Sequence, residues 1–144
     1  MKMIYDNRGW FLPLPNNTNV SFSKKGVFRG LHAQTNKPQG KQLHLLSGRI
    51  TDFFVSPSGN IGSIDLVAGD SFFIQPGFLH GFYAIEDSML LYVCDQPYNP
   101  ESEIGLRWTY VMDLLPDISY EHPFEPILSE KDKAWPKELK HVSR

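Results

Sequence analysis

Five histidines and one cysteine are the first residues to weigh for chemistry: His32, His44, His80, His122, His141 and Cys94. His32 and His80 stand apart, because each has polar company inside an apolar run, in "VFRGLHAQ" and "FIQPGFLHGF". Removing a proton beside a carbonyl needs a base tuned near neutrality, an acid on the other side, and positive charge for the oxygen that turns negative. His32, Tyr92 and Lys41 are the residue types for those three tasks. The remaining candidates have plainer readings. His44 alternates with Leu43 and Leu45 and reads as a hydrogen-bonded structural histidine; His122 precedes a proline and His141 lies in a charged tail, so both should be exposed. Cys94, in "LLYVCDQ", reads as a small buried hydrophobe. Neither a G-x-S-x-G turn nor a glycine-rich phosphate loop occurs.

The stretch "GVFRGLHAQ" poses a geometric question. In a flat strand Arg29 and His32, three positions apart, point to opposite faces. If both serve one site, Gly30 must mark a bulge or a strong local twist.

The elements that would hold these residues are strands. Short runs rich in β-branched and aromatic residues, "GVFRGLHA", "KQLHLLSG", "RITDFFV", "GSIDLV", "SFFI", "GFYAI" and "MLLYVC", alternate with the breakers "NKPQG", "SPSGN", "AGD", "QPG" and "ED". That spacing predicts an antiparallel β-sandwich or small barrel. In "RITDFFV" the alternation puts Ile50, Asp52 and Phe54 on one face; Asp52 there is either an edge position open to water or part of a site. Toward the end, "LSEKDKAWP" places Asp132 three residues after Ser129, the spacing of a capping box, in a short helix limited by Pro136. The proline-rich "LLPDISYEHPFEP" should run over the surface as ordered coil.

With 144 residues, the chain is most simply one domain, residues 1–144. A net charge of −2 gives no basic field for nucleic acid or anionic membrane, though local cations can still bind a small anion. A single cysteine excludes an internal disulfide and a CxxC pair. The start "MKMIYDNRGW" lacks a signal-peptide core and no long apolar run follows, so a soluble, cytoplasmic protein is expected.

Six stretches, in order, resemble the dTDP-4-dehydrorhamnose 3,5-epimerase family of nucleotide-diphospho-4-keto-6-deoxysugar epimerases. They are "DNRGWF", "NTNVSFSKKGVFRGLHAQ", "QGKQLHLLSGRITDFFV", "FIQPGFLHGF", "LLYVCDQPYNPESEIGLRW" and "PILSEKDKAWP". The resemblance implies an all-β, cupin-type jelly roll with short C-terminal helical turns, working without metal or cofactor, and a homodimer that exchanges N-terminal strands. It implies His32 as general base, Asp132 as its carboxylate partner, Tyr92 as proton donor on the opposite face of the sugar, and Lys41 beside the carbon-4 oxygen. Arg8, Asn19, Arg29, His80, Tyr98, Glu103 and Lys131 match positions that bind the nucleotide diphosphate or sugar. The implied activity is epimerisation at carbon 3, carbon 5 or both of a nucleotide-linked 4-keto-6-deoxyhexose, in deoxysugar synthesis for surface polysaccharide or glycosylated metabolites.

Departures from the family pattern cluster at the substrate mouth. Only Leu12 to Asn16 separate "RGWF" from "NTNVS", and Pro13 stands where the family commonly has an acidic residue. Thymidine is the default base, with cytidine and guanosine open. Two other classes stay in view. A metal-dependent cupin would need three or four converging ligands, whereas "KQLHLLSGRITDFF" offers a lone His44. A non-catalytic sugar-nucleotide-binding module would bind without exchanging protons.

Overall fold

A computed structural model describes residues 2–115 and 125–139. The seven expected runs form β4 (Phe28–Gln34), β5 (Lys41–Ser47), β6 (Arg49–Val55), β7 (Ile61–Val67), β8 (Ser71–Ile74), β9 (Leu79–Ala84) and β10 (Ser88–Cys94). Four further strands join them: β1 (Ile4–Asp6), β2 (Gly9–Leu14), β3 (Thr18–Ser23) and β11 (Glu103–Gly105). Two antiparallel sheets result, one of six strands in the order β1-β2-β3-β10-β5-β8 and one of five in the order β11-β4-β9-β6-β7. This is the all-β, cupin-type sandwich that the resemblance implied. No helix among the described residues is long and apolar enough to cross a membrane.

The first three strands escape the periodicity argument for a physical reason. In β2 both faces are apolar, so nothing alternates. In β3 the alternation is inverted: Asn19, Ser21 and Ser23 point into the sandwich, while Val20 and Phe22 point out. Polar side chains face inward because the interior here is partly a pocket.

Two apolar clusters close the rest. Leu43, Leu45, Ile50, Ile74, Phe82 and Leu90 fill the space between the sheets. Phe28, Leu31, Phe53 and Leu79, on the far face of the five-stranded sheet, are covered by Leu106, by Trp108 and Val111 of a 3-10 helix (Trp108–Leu114), and by Leu128. Full burial of each such side chain contributes about 1.5–3 kcal/mol. Along β5 the inward positions run from Lys41 to Leu43 and Leu45, and along β10 from Leu90 to Tyr92 and Cys94. The sandwich therefore changes from apolar to polar toward one end, and the cavity lies there.

Asp52 is not at an open edge. It is fully buried on β6, between β7 and β9. The capping box is half formed: in α1 (Glu130–Lys133) the Asp132 amide donates to Ser129 Oγ, but the Asp132 carboxylate is turned elsewhere. His44 does hydrogen-bond, with Nδ1 2.7 Å from Ser71 Oγ. Cys94 is buried. Most of the proline-rich stretch, with His122 and also His141, lies outside the described residues.

Candidate active site

All eleven residues to which the resemblance assigned a role line one cavity of about 550 Å³ between the sheets: Arg8, Asn19, Arg29, His32, Lys41, His80, Tyr92, Tyr98, Glu103, Lys131 and Asp132. His32 and His80 belong to the five-stranded sheet, and Lys41 and Tyr92 to the six-stranded sheet facing it.

Gly30 explains how Arg29 and His32 share this cavity. Arg29 is paired with Phe82 and His32 with His80, so three steps along β4 match two along β9. The extra residue is a β-bulge that returns His32 to the inner face while Leu31 enters the outer core. Gly30 has φ +118°, and a Cβ there would lie 2.6 Å from the His80 carbonyl oxygen. Only glycine fits both the dihedral and the close approach.

His32 Nε2 lies 2.6 Å from Asp132 Oδ1. With that carboxylate as acceptor, the proton of a neutral imidazole sits on Nε2, leaving the Nδ1 lone pair as the basic position. Asp132, 1% exposed, is held by further donors: the Gly30 amide at 3.1 Å to Oδ2 and the Trp135 indole at 3.0 Å to Oδ1. Burial would raise the Asp132 carboxyl. The hydrogen bond and charge of His32, with the Gly30 and Trp135 donors, outweigh it and hold the group below the usual carboxylate value.

A second histidine–carboxylate pair stands beside the first. His80 Nε2 is 2.7 Å from Asp52 Oδ1, and His80 is the cross-strand neighbour of His32. Burial pushes the Asp52 carboxyl up, against the opposing influence of His80 and Lys41. Asp52 is the residue the sequence reading left undecided. Its signal was a carboxylate alternating with Ile50 and Phe54, and deciding it required the sheet order.

On the facing sheet, burial pushes the Tyr92 phenol upward, reinforced by Cys94 and opposed by Arg29, so the hydroxyl keeps its proton. Burial pulls the Lys41 ammonium downward, against Cys94, Asp52 and Glu103. A cation there gains electrostatic strength from poor solvation.

The cations sort into two groups. Arg8 is clamped by Asp6, with Nη2 2.6 Å from Oδ2, and its Nη1 lies 3.9 Å from Asp132 Oδ2. Arg29 donates from Nε to Ser23 Oγ and from Nη2 to the carbonyls of Phe22 and Trp10, bracing one sheet against the other. Burial, then Arg8, lowers the Arg29 guanidinium to about 10, which leaves it charged at neutral pH. Lys131 forms a short ion pair with Glu103, whose Oε1 also accepts the Tyr98 hydroxyl at 2.9 Å. Among the described residues, no group of three or more His, Cys, Asp and Glu side chains is arranged to hold a metal ion.

Comparison with known proteins shows which family the chain belongs to. The family model for dTDP-4-dehydrorhamnose 3,5-epimerase matches residues 2–140. A dTDP-4-dehydrorhamnose 3,5-epimerase of Methanothermobacter thermautotrophicus is 34% identical over 157 residues, covering 90% of this chain and 82% of the relative. Seven other curated relatives are longer, this chain spanning 41% to 68% of each. The crystal structure of a dTDP-4-dehydrorhamnose 3,5-epimerase from Sulfolobus tokodaii is 33% identical with a TM-score of 0.70, covering 94% of this chain and 85% of that one. A dTDP-6-deoxy-D-glucose-3,5-epimerase from Legionella pneumophila, in complex with dTDP-4-keto-L-rhamnose, is 31% identical with a TM-score of 0.68, covering 94% and 84%. With nearly the whole chain matched by the family model, this protein belongs to the dTDP-4-dehydrorhamnose 3,5-epimerase family.

Proposed function

We propose that this chain epimerises a dTDP-linked 4-keto-6-deoxyhexose at carbon 3, carbon 5 or both, in deoxysugar biosynthesis. One observation carries the reading: a carboxylate-held histidine and a protonated tyrosine lie on opposite sheets, across one cavity. A sugar ring between them would present one face to each.

His32 Nδ1 takes the proton from the carbon beside the ketone, and the C–H electron pair moves into the enolate. Asp132 stabilises the imidazolium that forms. Lys41 faces the enolate oxygen, where preorganised positive charge contributes most. Tyr92 then donates its hydroxyl proton to the same carbon from the other side, which inverts the centre. After one turnover His32 holds an extra proton and Tyr92 lacks one, and exchange with water resets both. Asp52 orients His80 toward the sugar. Arg8 and Arg29 supply charge for the diphosphate, while Asn19, Tyr98, Glu103 and Lys131 complete the substrate contacts.

The outer face of the six-stranded sheet supports a homodimer. Leu46, Phe73 and Val93 are 49%, 43% and 37% exposed there, beside the outward Val20 and Phe22. Apolar side chains gathered on an outer sheet face are what a second copy would cover. In the structure β1 and β2 complete the chain's own sheet through β3.

The test is solvent exchange. Incubated in D2O with a dTDP-4-keto-6-deoxyhexose, the protein should add deuterium beside the ketone, and NMR reads which carbon exchanges and inverts. His32→Asn should abolish exchange, whereas Tyr92→Phe should retain abstraction and lose inversion. No deuterium uptake with dTDP-, CDP- and GDP-linked sugars would refute the assignment.

A further inference from the structure

Trp135 has no part in the chemistry just described, yet it touches both members of the His32–Asp132 pair. Its Nε1 donates to Asp132 Oδ1 at 3.0 Å, the same oxygen that lies 2.6 Å from His32 Nε2. Its ring meets the His32 ring edge-on, with centroids 5.9 Å apart at 63°. The indole is seated by a purpose-shaped gap. A Cβ on Gly105 would fall 2.1 Å from Trp135 Cδ2, and Gly105 is the β11 residue directly opposite His32. The backbone on either side is tied down: the Arg107 amide donates to the Pro136 carbonyl at 2.8 Å and Arg107 Nη1 to the Lys133 carbonyl at 2.7 Å. The Lys131 ammonium lies 5.8 Å from the indole centroid.

We propose that Trp135, seated on Gly105, is a positioning residue for the His32–Asp132 pair, fixing the carboxylate against His32 and offsetting part of its charge. This rests on the reading of His32 as base. The pair depends on a balance of charge. A bare buried carboxylate at 2.6 Å strongly favours the imidazolium, and an imidazolium cannot abstract a proton. The positive end of the indole N–H, aimed at the shared oxygen, works against that charge, so losing the donor strengthens the carboxylate's pull on the proton between it and His32. Arg8 from the β1–β2 turn and Arg29 from β4 act in the same sense. The other groups facing the pair are His80 across the strand, Tyr92 on the opposite sheet and the Glu103–Lys131 ion pair.

The measurement is the pH profile of kcat/KM for deuterium exchange in Trp135→Phe, which keeps an aromatic ring but loses the donor. Its acid limb should move to higher pH by about 0.5–1 unit. Gly105→Ala, whose Cβ would displace the indole, should move the limb the same way. An acid limb at the wild-type position in both variants overturns the proposal, because a purely structural contact would lower thermal stability without moving it. A second readout needs no activity. In the free protein, the Trp135 indole proton, assigned by its loss in Trp135→Phe, should shift upfield in Asp132→Ala. An unmoved resonance overturns the proposal. Absence of exchange in the wild type with every ketosugar, alongside a shifted indole proton, would instead fault the assignment of His32 as base and leave the coupling standing.

Discussion

Gly30→Ala is the sharpest test of how the fold aims His32 into the cavity. Two costs arise at one position. A side chain at φ +118° is strained by about 1–3 kcal/mol. The new Cβ would also lie 2.6 Å from the His80 carbonyl oxygen and 2.7 Å from Gly81 Cα, both backbone atoms of the neighbouring strand that cannot swing aside. Forcing that rung apart adds about 1–3 kcal/mol, as overpacking does elsewhere. The sum, about 2–6 kcal/mol, is a large part of a typical domain's 5–15 kcal/mol. At roughly 3 °C per kcal/mol, the melting temperature should fall by about 6–18 °C. Urea unfolding followed by circular dichroism gives the stability, and the D2O assay the function. Exchange below the melting transition should fall at least tenfold, because the bulge that turns His32 inward shares its rung with His80. Gly69→Ala is the matched control: φ is +96°, but no heavy atom lies within 4 Å, so only the dihedral cost applies. If Gly30→Ala lost under 1 kcal/mol, or no more than Gly69→Ala, the close-approach reasoning would be wrong.

Two further outcomes follow from the structure. His80→Ala removes the hydrogen-bonded partner of the fully buried Asp52, which should cost about 3–5 kcal/mol at neutral pH. Asp52 already sits above its ordinary 3.8 through burial, and losing His80 raises it further. A carboxyl raised on folding contributes stability while protonated and loses it as pH rises through the folded value. The penalty should therefore shrink as pH falls from 7 toward 4, and urea titrations at both ends check the sign. Val93→Glu places a charge on the exposed apolar sheet face: the wild type should sediment as a dimer and the variant as a folded monomer. A monomeric wild type would remove the dimer proposal, and a dimeric Val93→Glu would remove this face as its contact.

Strand content was legible in the sequence wherever one face met core and turn residues bounded the run, as in "RITDFFV" and "MLLYVC". The residues able to move protons were legible too, because side-chain chemistry belongs to each residue alone. The Arg29–His32 spacing made a bulge or twist at Gly30 the condition for both to serve one site, since a strand's two-residue period is a local property. What lay beyond the sequence were relations between distant positions. Asp52 could be an exposed edge residue or a buried partner until β7 and β9 enclosed β6. By spacing alone Asp132 read as a cap; the resemblance implied its pairing with His32, and α1 brings the two together from 100 positions apart. Trp135 carried no visible role until β11 placed Gly105 beneath it. Periodicity says which residues share a face of one strand. Only long-range pairing decides what that face meets, and here that pairing places His32 and Tyr92 on opposite walls of one cavity.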